Sequence, residues 1–547
     1  MATLNWIGKE AVVNHHREVP YRLLKGDPKR SVGEDGGVGS GNLLVQGDNL
    51  EALKALLPYY GGKVKCIYID PPYNTGNEGW VYNDNVNSPQ MRAWLGKAVG
   101  KEAEDLSRHD KWLCMMYPRL AMLAQFLTED GAILVSIDDS EVQNLRCVMD
   151  EVLGSRNFVA QLSWYKRVSP ANDAKHFSSD HEYIVVYAKH GDNWSPGLLK
   201  RTAAQLENYK NPDNDPRGDW NSVTYTCNKT ADERPNLYHP VTNPNTGEKI
   251  WPRKTAVWKF DAERHKRHEA EGLIYWGVGG KGKMPRLKKF LHQMEDVVPR
   301  SVLHYDDWGH TQMARTELLD IIKDCPFTTP KPTKLLSRLL GVGTPDKDSL
   351  ILDSFAGSGT TAHAVLAMNK ADGGNRRCIL VEMDENIAQT ITAQRLTRVI
   401  EGYHPGGDKS KERVDGTGGG FRYVTLGPTL FDERGRFRTG EDKVSFAALA
   451  AHVFFTETGE PIPKTTNGKK SPFIGACRGT AYYLLFNGIL GDKTPDGGNV
   501  LTGEILKRLP NLDGPRVVFG EGCRLGPTRL ARERVTFKQI PYEVKVK

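Results

Sequence analysis

Ile67-Tyr68-Ile69-Asp70-Pro71-Pro72-Tyr73-Asn74 puts a carboxylate, two ring-locked residues and an aromatic directly after a short apolar run. Residues 66–69 read as a buried strand, and the two prolines cannot continue a sheet, so the chain is forced out of the layer where Asp70 sits. Such exits, at the carboxyl ends of strands in open α/β sheets, are where ligands bind. The stretch predicts an α/β fold with Asp70, Pro71, Pro72 and Tyr73 as candidate catalytic residues.

A second strand end carries a different signal. Ile351-Leu352-Asp353-Ser354-Phe355-Ala356-Gly357-Ser358-Gly359-Thr360 runs from an apolar strand through a small-residue turn into a helix-compatible run, 361–368. Gly357 and Gly359 allow close backbone approach, and a loop opening a helix turns amide groups towards a ligand. The later glycine of a dinucleotide fingerprint and the Gly-Lys-Ser/Thr ending of a phosphate loop are both missing. Residues 379–382 read as the next strand, and its terminal Glu382 suits ribose hydroxyls. Asp48 ends another strand, 42–46, before a helix over 50–57, where it serves equally as a ligand contact or a helix N-cap.

Asp70-Pro71-Pro72-Tyr73 resembles the signature of amino-group DNA methyltransferases. With Asn74-Thr75-Gly76 and Tyr82-Asn83-Asp84, it looks most like the modification subunits of type III restriction-modification systems. Asp353, Phe355, Ala356, Gly357, Ser358, Gly359 and Thr360 match the S-adenosyl-L-methionine loop of that family, and Glu382 matches its ribose-binding acid. Lys331-Pro332 resembles its Lys-Pro element, and His181-Glu182-Tyr183-Ile184-Val185-Val186-Tyr187 is a further match. The resemblance makes Asp48 a contact to the cofactor's adenine. The catalytic element precedes the cofactor loop, an order resembling the permuted β class, in which the intervening stretch is the target-recognition region. Aspartate heading the motif implies adenine N6 as the target, with cytosine N4 as the alternative. A specificity subunit that mainly recruits a helicase-nuclease is a second alternative.

The chemistry these residues suit is methylation of an exocyclic amine whose lone pair is delocalised into its ring. Asp70 and the Pro71 carbonyl would accept the two amino hydrogens and free that lone pair, as positioned acceptors. Tyr73 offers a flat face for a base extruded from duplex DNA. The resemblance further implies a helicase-nuclease restriction subunit as partner and a homodimeric assembly.

Five hundred and forty-seven residues exceed a single core and predict several domains. No apolar run is long enough to span a bilayer, the N-terminus has no leader pattern, and eight scattered cysteines form no Cys-x-x-Cys pair. These features predict a cytoplasmic protein without a metal centre. A net charge of +7 is modest, but residues 251–300 hold twelve Lys or Arg against six Asp or Glu, interleaved with aromatics. Lys281, Lys283, Arg286, Lys288 and Lys289 are candidate DNA contacts there, against the alternative of a solvated basic face.

The expected architecture is a doubly wound, Rossmann-like methyltransferase with permuted motif order. Residues 1–190 form its catalytic half and 311–404 its cofactor half, split by a target-recognition insertion at 191–310. A linker and small C-terminal α/β domain occupy 405–547. Residues 1–40 read as a polar lead-in, 75–101 as a lid, and 111–188 as repeating strand and helix units of a parallel sheet, opening with a long helix over 111–128.

Overall fold

The central sheet has ten strands, numbered along the chain as β1 (Arg22–Gly26), β2 (Leu43–Gln46), β3 (Val64–Ile69), β4 (Leu127–Ile137), β5 (Phe158–Tyr165), β6 (His181–Ala188), β7 (Val302–Leu303), β8 (Leu350–Asp353), β9 (Arg377–Glu382) and β10 (Arg422–Thr429). The computed structural model describes residues 4–75, 96, 108–172, 174–438, 443–463, 471–491, 498–510 and 512–544. The lid expected at 75–101 lies outside these residues apart from Thr75 and Gly96. The chain divides into two compact units, Leu198–Pro299 and the remainder.

Spatial order across the sheet is β1-β10-β2-β9-β8-β3-β4-β6-β5-β7. The six strands from β10 to β4 are mutually parallel. Residues 66–69, 350–353 and 378–382 are all buried, as expected of parallel strands covered on both faces. The helix Thr333–Gly343 supplies one cover, burying Leu335, Leu336, Leu339 and Leu340 at helical spacing. Its last residue needs to be glycine: a Cβ on Gly343 would stand 2.5 Å from Cys66 Sγ. The helix Asn49–Tyr60 buries Leu50, Leu53, Leu56 and Leu57, and Asp48 caps it by accepting from the amides of Leu50 and Glu51.

Three sequence expectations are corrected here. The sheet is mixed, because β6 runs antiparallel to both β4 and β5. The lead-in contributes β1, and the chain after the glycine-rich stretch 405–420 returns to the sheet as β10, between β1 and β2. The helix expected at 111–128 is Arg108–Leu123, since β4 already begins at Leu127. Beyond β10, a four-stranded sheet of Phe473–Cys477, Thr480–Leu484, Arg516–Gly520 and Val535–Gln539 carries its own apolar clusters.

The unit Leu198–Pro299 is organised around a three-stranded sheet of Ile274–Tyr275, Arg286–Phe290 and Trp220–Thr224. Tyr225, Val241, Ile250, Trp258, Trp276 and Leu287 form its core. Two of the aromatics interleaved with the basic residues of 251–300, Trp258 and Trp276, are therefore core material. Among the described residues no helix is long and apolar enough to cross a membrane.

Candidate active site

Four adjacent parallel strands end in acid along one edge of the sheet. Asp48 follows β2, Glu382 ends β9, Asp353 ends β8 and Asp70 follows β3. Three interstrand steps of roughly 4.8 Å put the outer two strand ends about 14 Å apart. β3 continues to β4 on one side and β8 to β9 on the other, so the β3–β8 junction is a switch point in the winding, where a crevice opens. A small cavity there is lined by Tyr68, Asp70, Phe327, Lys331, Asp353 and Gly357, among others.

At the β3 side, Lys331 Nζ lies 2.8 Å from each carboxylate oxygen of Asp70 and 2.9 Å from the Tyr73 hydroxyl. That hydroxyl is also 2.8 Å from Asp70 and 3.0 Å from Glu182. Glu182 is 3.4 Å from Lys331 and 3.1 Å from Lys166. Two carboxylates thus face two ammonium groups, a balanced buried cluster in which every charge has a partner. Burial pushes the Asp70 carboxyl above its ordinary value, against the pull of Lys331. Burial also disfavours charge on Glu182, but Lys331 and Lys166 outweigh it and hold Glu182 below the usual range.

The turn itself is pinned from behind. Trp112 Nε1 donates to the Pro72 carbonyl at 2.7 Å. Asn74 adopts φ of 59°, a left-handed conformation that asparagine tolerates better than most residues, and its buried amide donates to Glu141 and to the Arg108 carbonyl. Tyr68 adds a 2.8 Å hydrogen bond to Ser136.

At the β8 side, Asp353 accepts from the Phe355 amide at 3.0 Å and from Thr361 Oγ1, which closes the turn. Glu382 accepts from the Gly357 amide at 2.8 Å and the Asp384 amide at 2.9 Å. Gly357 and Gly359 have φ of 49° and 77°, and Gly359 is the N-cap of the helix Thr360–Asp372. Burial pushes both the Asp353 and Glu382 carboxyls up to about 7. Ser354 Oγ is buried with no hydrogen-bond partner, a polar atom that a ligand could satisfy.

Most of the candidate residues read from the sequence meet at this edge. Lys331, expected at the cofactor loop, lines the cavity beside that loop and holds Asp70, and its ammonium sits at the hydroxyl end of Tyr73, 2.9 Å from that oxygen and 5.0 Å from the ring centroid. Pro332 is the N-cap of the helix Thr333–Gly343. Asp48 both caps its helix and pairs with the buried Arg119 at 3.1 Å. Glu182 and Lys166 were given no role from sequence, although an acid inside the apolar strand 181–188 was a signal. In the separate unit, Lys281, Lys283 and Lys289 are exposed and Arg286 is bound to Ser222. Lys288 is buried in ion pairs with Asp213 and Asp215, so its charge serves that unit's own structure.

A sequence model of DNA methylases, N6_N4_Mtase, matches residues 64–393, from the start of β3 past the end of β9. The chain belongs to this family of DNA methylases. Among curated relatives of the methylase, the Mod subunit of the type III restriction-modification enzyme StyLTI of Salmonella typhimurium is 34% identical over 387 residues, 69% of this chain and 56% of that one. The EcoPI Mod subunit of Escherichia phage P1 is 33% identical over 454 residues, 75% of this chain and 67% of that one. The match thus spans little more than half of the Salmonella protein's length. A solved structure of the cytosine-N4-specific PvuII DNA methyltransferase is 12% identical, with a TM-score of 0.35, covering 65% of this chain and 86% of that one.

Proposed function

We propose that the methylase transfers a methyl group from S-adenosyl-L-methionine to adenine N6 at a specific site in double-stranded DNA. The observation that carries this reading is the placement of Asp70 and the 353–360 loop on adjacent strands, β3 and β8, at one switch point. The loop fits such a donor: Ser354 Oγ is an unsatisfied buried atom, and Glu382 accepts only one amide on each oxygen, leaving lone pairs for ribose hydroxyls. Bound there, S-adenosyl-L-methionine would supply an electrophilic methyl group.

The chain's own residues do the rest. Asp70 and the Pro71 carbonyl accept the amino hydrogens and turn the nitrogen lone pair out of conjugation. As the new N–C bond forms, positive charge builds on nitrogen beside the Asp70 carboxylate, which then takes the departing proton. The incoming amine competes with Lys331 for Asp70. Glu182, 3.4 Å from the same ammonium, retains it as the amine arrives and keeps the cluster neutral. The Tyr73 ring stacks on the extruded base.

Adenine is favoured over cytosine because aspartate heads the catalytic motif. The relatives' names, Mod subunits of type III restriction-modification enzymes, support a modification subunit of a type III-like restriction system. Its work in the cytoplasm as a homodimer with a helicase-nuclease partner is part of the same proposal, drawn from the sequence resemblance. Exposed Lys281, Lys283 and Lys289 contact DNA phosphates. Methylation mapping of DNA from cells expressing the chain tests the whole reading. N6-methyladenine at one recurrent sequence is expected. N4-methylcytosine would redirect it to the other base, and unmodified DNA despite sequence-specific binding would favour a recruiting subunit.

A further inference from the structure

Phe177 is 95% exposed, the most exposed large apolar side chain among the described residues. It belongs to the loop between β5 and β6, whose mouth is closed by the Lys166 amide donating to the Asp180 carbonyl at 2.9 Å. That mouth is part of the catalytic cluster, because Lys166 holds Glu182, and Glu182 meets Tyr73 and Lys331. β4 runs parallel to β3 and β6 antiparallel to β4, so the loop leaves from the same sheet edge as Asp70. Arg167, Val168, Lys175 and His176 are exposed in it as well. Ser178 Oγ accepts from the Ala171 amide at 2.7 Å and bonds to Asp180, which ties the two arms of the loop together.

A lone exposed apolar side chain is ordinary on a protein surface. Phe177 is distinguished by its company: Arg167 and Lys175, exposed in the same loop, suit phosphate, and the base of its loop reaches Asp70 through Glu182 and then Lys331 and Tyr73. A base drawn into this site leaves a gap in the duplex stack, and apolar side chains that enter base steps offset part of the lost stacking.

We propose that the β5–β6 loop is an extrusion wedge. Arg167 and Lys175 grip the phosphates beside the target, and the Phe177 ring enters the stack in place of the departing base. The inference rests on the reading of the chain as an enzyme acting on an extruded base.

The test uses two oligonucleotide duplexes carrying the site found by methylation mapping, one fully paired and one with an abasic position opposite the target, which removes most of the cost of extrusion. Relative to wild type, Phe177→Ala should lose about ten- to a hundredfold in kcat/KM on the paired duplex and recover most of it on the abasic one. Phe177→Trp should retain activity on both. Since the ring is exposed, Phe177→Ala should keep the wild-type melting temperature and cofactor affinity. Equal loss on both duplexes, or no loss on either, overturns the wedge. Mapping that finds no methylated site overturns the parent reading, and the wedge with it.

Discussion

Lys331 Nζ sits 2.8 Å from both oxygens of Asp70, so the carboxylate proposed to receive the substrate's amine already holds a cation of the protein's own. In the proposed reaction the ammonium stands in for the charge that develops on the amine. Removing it has a predictable effect. Lys331→Met leaves Asp70 and Glu182 as two buried carboxylates with Lys166 alone to balance them, and one of them takes up a proton. The acid limb of the pH–rate profile should move to higher pH, with activity at pH 7 reduced and partly recovered in alkaline buffer. Breaking a buried pair typically costs about 3–5 kcal/mol, so a drop in thermal stability should accompany it. An unmoved acid limb would count against the pairing.

Asp70→Ala should lower methyl transfer by about a hundredfold to a thousandfold, the usual loss for one preorganised acceptor. Cofactor affinity should stay near wild type, because the loop 353–360 hangs on β8 and β9. Radiolabel transfer and calorimetry read the two effects separately.

Asp353 and Glu382 carry the pH dependence of the cofactor site. Both carboxyls are raised to about 7 by burial, so the folded chain binds more protons than the unfolded one between the ordinary carboxylate range and neutrality. Their contribution to stability is present below the unfolded pKa and is lost as pH rises through about 7. Cofactor binding has the opposite sense, since Glu382 must be ionised to accept hydroxyl groups fully. Affinity should weaken below neutrality by up to about tenfold per pH unit. Calorimetry in buffers of different ionisation enthalpy should show proton release on binding, and a flat pH profile would contradict it.

Gly357→Val should abolish cofactor binding. The position has φ of 49°, and a Cβ there would stand 3.1 Å from the Phe327 ring. A left-handed conformation costs a substituted residue about 1–2 kcal/mol before any clash is counted. Unchanged affinity in titration calorimetry would show that the loop does not hold the donor.

Charge reversal separates the lysines of the 198–299 unit. Glutamates at Lys281, Lys283 and Lys289 should weaken DNA binding and reduce the magnitude of the salt slope by about three, one for each lost phosphate contact. Lys288→Ala should lower thermal stability instead, because Asp213 loses its ammonium partner and Asp215 is left with Arg217. Both are checked by fluorescence anisotropy against salt and by thermal melts.

The central strands and the two ligand loops were legible because their signals are local. An apolar run followed by Asp-Pro-Pro-Tyr, or by small residues around two glycines, encodes its own exit from a sheet. β1 and β10 were not legible, since a short edge strand such as Arg22–Gly26 is half polar and β10 follows a glycine-rich stretch that reads as a linker. The antiparallel turn of β6 was missed because an apolar strand carries no mark of direction. Lys331 was found through its Lys-Pro neighbourhood, but its ion pair with Asp70 was not legible, because Asp70 lies far away in sequence. Lys288 shows the converse, a basic residue in a basic run whose charge is consumed internally by Asp213 and Asp215.

The pairing of β3 with β8, Cys66 opposite Ile351, joins residues nearly three hundred positions apart. A ribosome therefore completes the catalytic strand long before the strand that must lie beside it exists. Until Asp353 has emerged, β3 offers its backbone to no neighbour on that side, and long-range pairings of this kind are slow to form and open to aggregation. No product of early termination can hold both acceptor and donor sites. A cell holds both proposed sites in one chain only once synthesis has passed β9, and nascent chains need protection at that open edge until β8 has emerged.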